Sequence, residues 1–70
     1  MKRDPVTSSE MASIGYDAQL GILEIEFNSG AVYRYFMVPS SIYDGLREAT
    51  SKGSFFAQMI RDKFTYERIS

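Results

Sequence analysis

Four consecutive residues, Tyr33-Arg34-Tyr35-Phe36, bring three aromatic rings and one guanidinium together near the middle of this 70-residue chain. Proteins that bind single-stranded nucleic acid stack bases on exposed aromatic rings and hold phosphates with nearby basic groups. The same side chains also build hydrophobic cores, and a chain this short needs most of its large apolar residues for that purpose. The use of each side chain therefore depends on the face of the fold to which it points.

The composition narrows the chemistry that the chain can perform. It has no cysteine and no histidine, which excludes thiol–imidazole and serine–imidazole catalysis and zinc sites with nitrogen or sulfur ligands. Eight basic and nine acidic residues give a net charge of −1, so any nucleic-acid site must be a local patch. No apolar run approaches the length of a membrane span. We expect a cytoplasmic, non-enzymatic protein without cofactor, metal or membrane.

Three segments have the alternation or the residue preferences of β-strands: Met11–Tyr16, Ile22–Phe27 and Ala31–Met37. Between the last two, Asn28-Ser29-Gly30 has the length and the final glycine of a three-residue hairpin loop.

The loop sets which residues share a face. A three-residue loop places Ile25 opposite Tyr33 and Glu24 opposite Arg34, so apolar and charged pairs are separated. A two-residue loop at Ser29-Gly30 would mix the two faces, and we therefore favour the first register. It predicts that Tyr33 and Tyr35 belong to the core.

The pattern changes to a helical period after Pro39, which fits the start of a helix. Ser40 or Ser41 is the predicted cap, and apolar spacing carries this helix to about Ala49. Ser54 is predicted to cap a second helix, whose buried stripe is Phe56, Met59, Ile60 and Phe64. The tail, residues 65–70, leaves room for a short extended segment.

This order predicts an α+β fold: a three-stranded antiparallel meander followed by two helices packed on one face, β-β-β-α-α. Residues 1–5 would form a flexible N-terminal arm and residues 6–70 a single domain. The outer face of the sheet would be half apolar, with Ile22, Glu24, Glu26, Val32, Arg34 and Phe36. We expect Glu24 and Glu26 to be solvated and to repel phosphates.

Basic groups also cluster in the second half of the chain. Ser51-Lys52-Gly53-Ser54 precedes a predicted helix N-terminus, where free N–H groups favour an anion, and Arg61 could approach from the following helix. The alternative is a capped connection between two helices with solvated charges.

Several motifs follow one another along the chain: Ile14-Gly15-Tyr16-Asp17, Leu23-Glu24-Ile25-Glu26-Phe27, Gly30, Tyr33-Arg34-Tyr35, Val38-Pro39, Leu46, Ala49-Thr50-Ser51-Lys52-Gly53, Phe56 and Ile60-Arg61. In this order they resemble the KTSC domain family, over about residues 6–64. The family is named for the lysyl-tRNA synthetase C-terminus, where some members lie, while others are free-standing small bacterial or phage proteins. The resemblance implies RNA binding as the function proposed for the family. Ala57 stands where the family commonly has asparagine.

The sequence thus supports two hypotheses for a small binding module. The first is RNA or other polyanion binding, through Arg34, Phe36, Tyr43, Arg47, Ser51, Lys52, Gly53, Ser54 and Arg61. The alternative is a protein-interaction or self-association module that uses the half-apolar outer face of the sheet.

Overall fold

Five antiparallel strands and two helices make up the computed structural model, which describes all 70 residues. The elements are β1 Asp4–Pro5, β2 Met11–Asp17, β3 Ile22–Phe27, β4 Val32–Tyr35, α1 Ser40–Glu48, α2 Lys52–Met59 and β5 Tyr66–Arg68. The strands lie in the order β1-β2-β3-β4-β5. The α+β class is confirmed, whereas the predicted count of three strands is too low. Neither helix is long and apolar enough to cross a membrane.

The two strands beyond the predicted meander are its edges. β1 has two residues and pairs with β2, and β5 has three residues and pairs with β4. Strands this short carry no periodic signal of their own, and Pro5 is a residue that weakens any strand prediction. They form because the neighbouring strands offer unpaired backbone groups.

The hairpin between β3 and β4 has the predicted register. Glu24 pairs with Arg34 and Ile25 with Tyr33. Gly30 adopts a φ of 98°, in the left-handed region that favours glycine, and its N–H donates to the carbonyl oxygen of Phe27. Tyr33 and Tyr35 therefore point to the face that the helices cover.

Both helix starts differ from the predicted caps. Pro39 precedes α1 without any side-chain cap, and Ser40 and Ser41 lie inside the helix. Ser51 caps α2, because its hydroxyl accepts a hydrogen bond from the N–H of Ser54 at 3.3 Å. Ser54, the predicted cap, is thus the third residue of the helix, which begins three residues earlier than expected.

The core lies between the inner face of the sheet and the two helices. Its fully buried side chains are Met11, Ile14, Leu23, Ile25, Val38, Leu46 and Ile60, joined by Tyr35 and Phe56 at 5% exposure. Met59, predicted to be buried, is 43% exposed. The helix ends at Met59, and Asp62 has a φ of 62°, which turns the chain back toward the sheet.

The N-terminal residues cross the outer face of the sheet. Gly15 in β2 is buried beneath Lys2 and Arg3, and a side chain at this position would overlap the Lys2 carbonyl oxygen. Glycine is needed here because the two backbones approach so closely. The predicted arm therefore packs on the sheet, and its flexibility stays a prediction.

Candidate functional site

Three tyrosines of the last two strands form one cluster. Tyr33 and Tyr35 lie on the inner face of β4, and Tyr66 in β5 pairs directly with Tyr35. The ring centroids of Tyr33 and Tyr35 are 6.3 Å apart, and that of Tyr66 lies 5.7 and 5.8 Å from them. Tyr35 is 5% exposed and Tyr66 is 59% exposed, so the cluster extends from the core to the surface.

A groove of about 860 Å³ opens over this cluster. Phe27 and Phe56 form its apolar wall, in edge contacts with Tyr33 and Tyr35 respectively, each at 5.7 Å between centroids. We call this surface the tyrosine groove and define it by Phe27, Tyr33, Tyr35, Phe56, Arg61, Tyr66 and Arg68. Its aromatic rings range from buried to exposed, and they lie beside two guanidinium groups.

The arginines of the groove differ from the other three arginines of the chain. Arg3, Arg34 and Arg47 form salt bridges with Asp or Glu side chains, whereas Arg61 and Arg68 pair with no Asp or Glu. The Arg61 guanidinium lies 5.4 Å from the Phe56 ring centroid, and Arg68 donates to the Ser70 carbonyl oxygen. Both side chains are exposed and keep donors free for a ligand.

The hydroxyl of Tyr35 opens into the groove. Tyr35 is buried, yet no protein group forms a hydrogen bond with its hydroxyl. Every enclosed side-chain polar atom in the structure has a partner, so this unbonded hydroxyl is not enclosed. Burial, followed by the proximity of Tyr33 and Tyr66, raises the pKa of Tyr35 to about 12, and Arg61 opposes the rise. The hydroxyl therefore remains a proton donor at neutral pH.

Two carboxylates also lie along the groove, those of Glu10 and Asp62. Glu10 reaches the first turn of α2, where a side chain at Gly53 would overlap its carboxylate. An acidic group of the chain itself thus lies at the helix N-terminus for which the sequence predicted an external anion. The Glu10 carboxylate therefore already lies where the helix dipole stabilises a negative charge.

The predicted anion-binding segment is engaged within the protein. Ser51 caps α2 and bonds Ser54, while the Lys52 ammonium donates to the Ala49 carbonyl oxygen at 3.1 Å. These contacts are those of a capped connection between helices. Anion binding by Ser51, Lys52, Gly53 and Ser54 stays a prediction.

Tyr43 and Arg47 lie on α1, away from the groove. The ring of Tyr43 stacks on Tyr16 with centroids 4.9 Å apart, and the Arg47 guanidinium lies 5.7 Å from the Tyr43 centroid. Arg47 also pairs with Asp44 at 3.2 Å. Both predicted site residues therefore already make contacts with neighbouring side chains of the same chain.

The register predicted that Arg34 and Phe36 point away from the tyrosines, and Arg34 does so. The Arg34 guanidinium donates to Glu24 at 2.8 Å, and Glu67 is the residue opposite Arg34 in the backbone register of β4 and β5. Phe36 lies just beyond β4 and is half-buried. Of the residues predicted from the sequence to bind nucleic acid, only Arg61 lines the tyrosine groove.

The outer face carries a buried ion pair where solvated carboxylates were expected. Glu24 is only 3% exposed, because the arm places Arg3 against it and Arg34 bonds its other oxygen. Burial acts to raise the pKa of Glu24, but the hydrogen bonds and charges of Arg34 and Arg3 outweigh it and lower the pKa below 4.5. Self-association through this face stays a prediction, and the arm already covers part of it.

Sequence reasoning assigned Tyr33 and Tyr35 to the core and missed Tyr66 and Arg68 as neighbours of Arg61. A signal was present in the tail: an extended segment beside β4 would place alternate residues with the tyrosines. The pairing of Tyr66 with Tyr35 and of Arg68 with Tyr33 is that arrangement.

Comparisons with other proteins agree on one family. The sequence model of the KTSC domain matches residues 7–64. An uncharacterized protein of Stutzerimonas stutzeri is 46% identical over 70 residues and covers 99% of both chains. The crystal structure of a KTSC domain protein from Yersinia pestis has a TM-score of 0.96 at 40% identity, covering 99% of this chain and 97% of that one.

A longer relative shares the same region. The lysine–tRNA ligase of Nostoc punctiforme is 42% identical over 62 residues, which are 89% of this chain and 11% of the ligase. The chain therefore spans about a tenth of that enzyme.

Proposed function

This chain belongs to the KTSC domain family, and we propose that it binds single-stranded RNA in the tyrosine groove. The observation that carries the proposal is the placement of the arginines that have no Asp or Glu partner: Arg61 and Arg68 lie beside the clustered tyrosines, and every other arginine pairs with an Asp or Glu. Aromatic rings next to unpaired guanidinium groups are the side chains on which single strands stack and by which their phosphates are held.

The groove suits a single strand better than a duplex. Tyr66 is 59% exposed and Tyr33 is half-buried, so ring surface is open to a partner. Bases can cover such rings only when they are not already stacked inside a helix. Stacking on protein aromatics contributes about 1–3 kcal/mol per base.

The charge balance predicts weak dependence on salt. Two arginines face the strand, whereas Glu10 and Asp62 also line the groove, and the whole chain carries a net charge of −1. Two phosphate contacts on a single strand would give a slope of roughly −1.4 in a plot of log affinity against log salt. Most of the affinity would then come from stacking.

The ligase relative favours RNA over other polyanions. In Nostoc punctiforme a similar segment is part of a lysine–tRNA ligase, an enzyme named for a tRNA substrate. A segment that occurs both within that enzyme and as a short chain is consistent with an RNA-binding module.

Fluorescence anisotropy with a fluorescein-labelled single-stranded RNA tests the proposal. We expect Tyr66→Ala to weaken binding by about tenfold, since it removes one stacking ring at the surface. The double variant Arg61→Ala/Arg68→Ala should weaken binding and reduce the salt slope. A duplex of the same sequence should bind less tightly.

Arg47→Ala with Lys52→Ala is the matched control, because it removes two basic side chains outside the groove. It should leave the affinity unchanged. If this control loses binding while Tyr66→Ala retains it, the helical segment is the site and the groove assignment is wrong. No binding of any single-stranded RNA at low salt would refute RNA binding itself.

A further inference from the structure

The tyrosine groove contains more hydrogen-bond donors than base stacking requires. Tyr33, Tyr35 and Tyr66 bring three hydroxyls to it, and none of them bonds another protein group. Tyr16, by contrast, donates its hydroxyl to the Val38 carbonyl oxygen. Phenylalanine rings would stack bases equally well without hydroxyls. The three hydroxyls are therefore available to donate to a ligand with several hydrogen-bond acceptors.

The three tyrosine rings of the groove lie close together, and Arg61 lines the same groove. Tyr35 is 5% exposed, and the ring centroids of Tyr33 and Tyr66 lie 6.3 and 5.8 Å from its own. The Arg61 guanidinium lies over Phe56, whose ring is in edge contact with that of Tyr35. The groove therefore brings three phenolic donors and one guanidinium together, with the carboxylates of Glu10 and Asp62 also in its lining.

This donor set matches a terminal phosphate. A phosphate monoester carries a charge near −2 and three free oxygens, while a phosphodiester within a strand has two free oxygens and single charge. The near-complete burial of Tyr35 favours the end of a strand, since an internal phosphodiester would have to bring both flanking nucleotides with it.

We propose, on the basis of the proposed RNA binding, that Tyr35, Tyr33, Tyr66 and Arg61 form a subsite for the terminal phosphate of a single-stranded nucleic acid. The Tyr35 hydroxyl donates to one phosphate oxygen, and the Arg61 guanidinium pairs with the others. The neighbouring base then stacks on the exposed ring of Tyr66.

The test compares three versions of one RNA strand labelled at an internal base: with a 5′-phosphate, with a 3′-phosphate and with hydroxyls at both ends. Wild-type protein should bind one of the phosphorylated strands about tenfold more tightly than the strand without a terminal phosphate, the scale of a hydrogen bond to a charged group. The two phosphorylated strands distinguish which end enters the subsite.

Tyr35→Phe should abolish this preference, so that the phosphorylated and unphosphorylated strands bind this variant with equal affinity. Tyr66→Phe, which alters an exposed hydroxyl and keeps the ring, should reduce the preference and serves as a second variant if Tyr35→Phe folds poorly. Tyr16→Phe is the control, since its hydroxyl lies outside the groove and should not affect the preference.

Equal binding of all three strands by wild-type protein, or a preference that survives in both Tyr35→Phe and Tyr66→Phe, would overturn the phosphate subsite. RNA binding in the groove would still stand if Tyr66→Ala weakened all three strands. Loss of the proposed function has a different signature, because then no strand binds.

Discussion

Glu24 and Tyr35 are both almost fully buried on opposite faces of the same sheet, at 3% and 5% exposure, but their polar groups have different surroundings. The carboxylate of Glu24 is held by Arg3 and Arg34 of the same chain. The hydroxyl of Tyr35 opens into a groove without any protein partner. The buried carboxylate of the outer face is bonded within the chain, whereas the inner face has a hydroxyl donor without a protein partner where the groove opens.

Folding alone accounts for the first arrangement and not for the second. A buried carboxylate must be paired, and the arm that supplies Arg3 also covers the surface around it. A tyrosine hydroxyl without a partner adds nothing to the core that phenylalanine would not supply. The inner face is therefore the side of the sheet where a ligand is expected to bind. The following substitutions test this difference between the two faces.

The largest expected effect is on the outer face. Glu24→Gln keeps the shape of the side chain and removes its charge, so two charge-assisted hydrogen bonds are weakened. We expect a loss of about 2–3 kcal/mol in the free energy of unfolding, measured with urea at neutral pH. Glu26→Gln is the matched control on the same face, where a partly exposed carboxylate accepts one bond from Ser13. Equal losses in the two variants would show that burial of the ion pair is unimportant.

The same ion pair predicts a dependence on pH. The pKa of Glu24 is lowered below 4.5 in the folded protein, so its contribution is complete above the unfolded pKa and is lost as the pH falls through the folded pKa. The stability difference between wild type and Glu24→Gln should be constant near neutral pH and shrink below pH 4.5. Urea unfolding across this range measures it, and a difference that grows on acidification would contradict the sign of the shift.

A smaller effect tests how the arm closes the outer face. Gly15→Ala would introduce a methyl group that overlaps the Lys2 carbonyl oxygen, and the arm must move to accommodate it. We expect a loss of about 1–2 kcal/mol, at the lower end for overpacking because the arm can shift. Amide shifts of residues 2–5 should change with it. Ala12→Gly, which removes a side chain from the same strand, should leave those shifts in place.

Much of the fold was accessible from the sequence because it rests on local signals. Gly30 sets a loop length that only one pairing of apolar and charged residues satisfies, and the structure has that pairing. The change of period after Pro39 located the first helix for similar reasons. The edge strands were missed because pairing with a neighbour, rather than their own residues, makes them extended.

The groove could not be predicted because it depends on where α2 ends. Tyr33 and Tyr35 do point toward the helices, but the helix stops at Met59, and both tyrosines line an open groove. Tyr66 and Arg68 then arrive from a strand 31 residues beyond Tyr35. Such long-range placement leaves no pattern within a short window of sequence.

The smallest expected effect comes from a comparison of two single hydroxyls, one with a protein partner and one without. Tyr16→Phe removes a hydroxyl that bonds the Val38 carbonyl oxygen, and we expect a loss of about 1 kcal/mol. Tyr35→Phe removes a hydroxyl with no protein partner, and its stability should equal that of the wild type within about 0.5 kcal/mol. Urea unfolding of both variants makes the comparison. A loss for Tyr35→Phe as large as that for Tyr16→Phe would mean that the Tyr35 hydroxyl serves the fold, and the reason to assign it to a ligand would disappear.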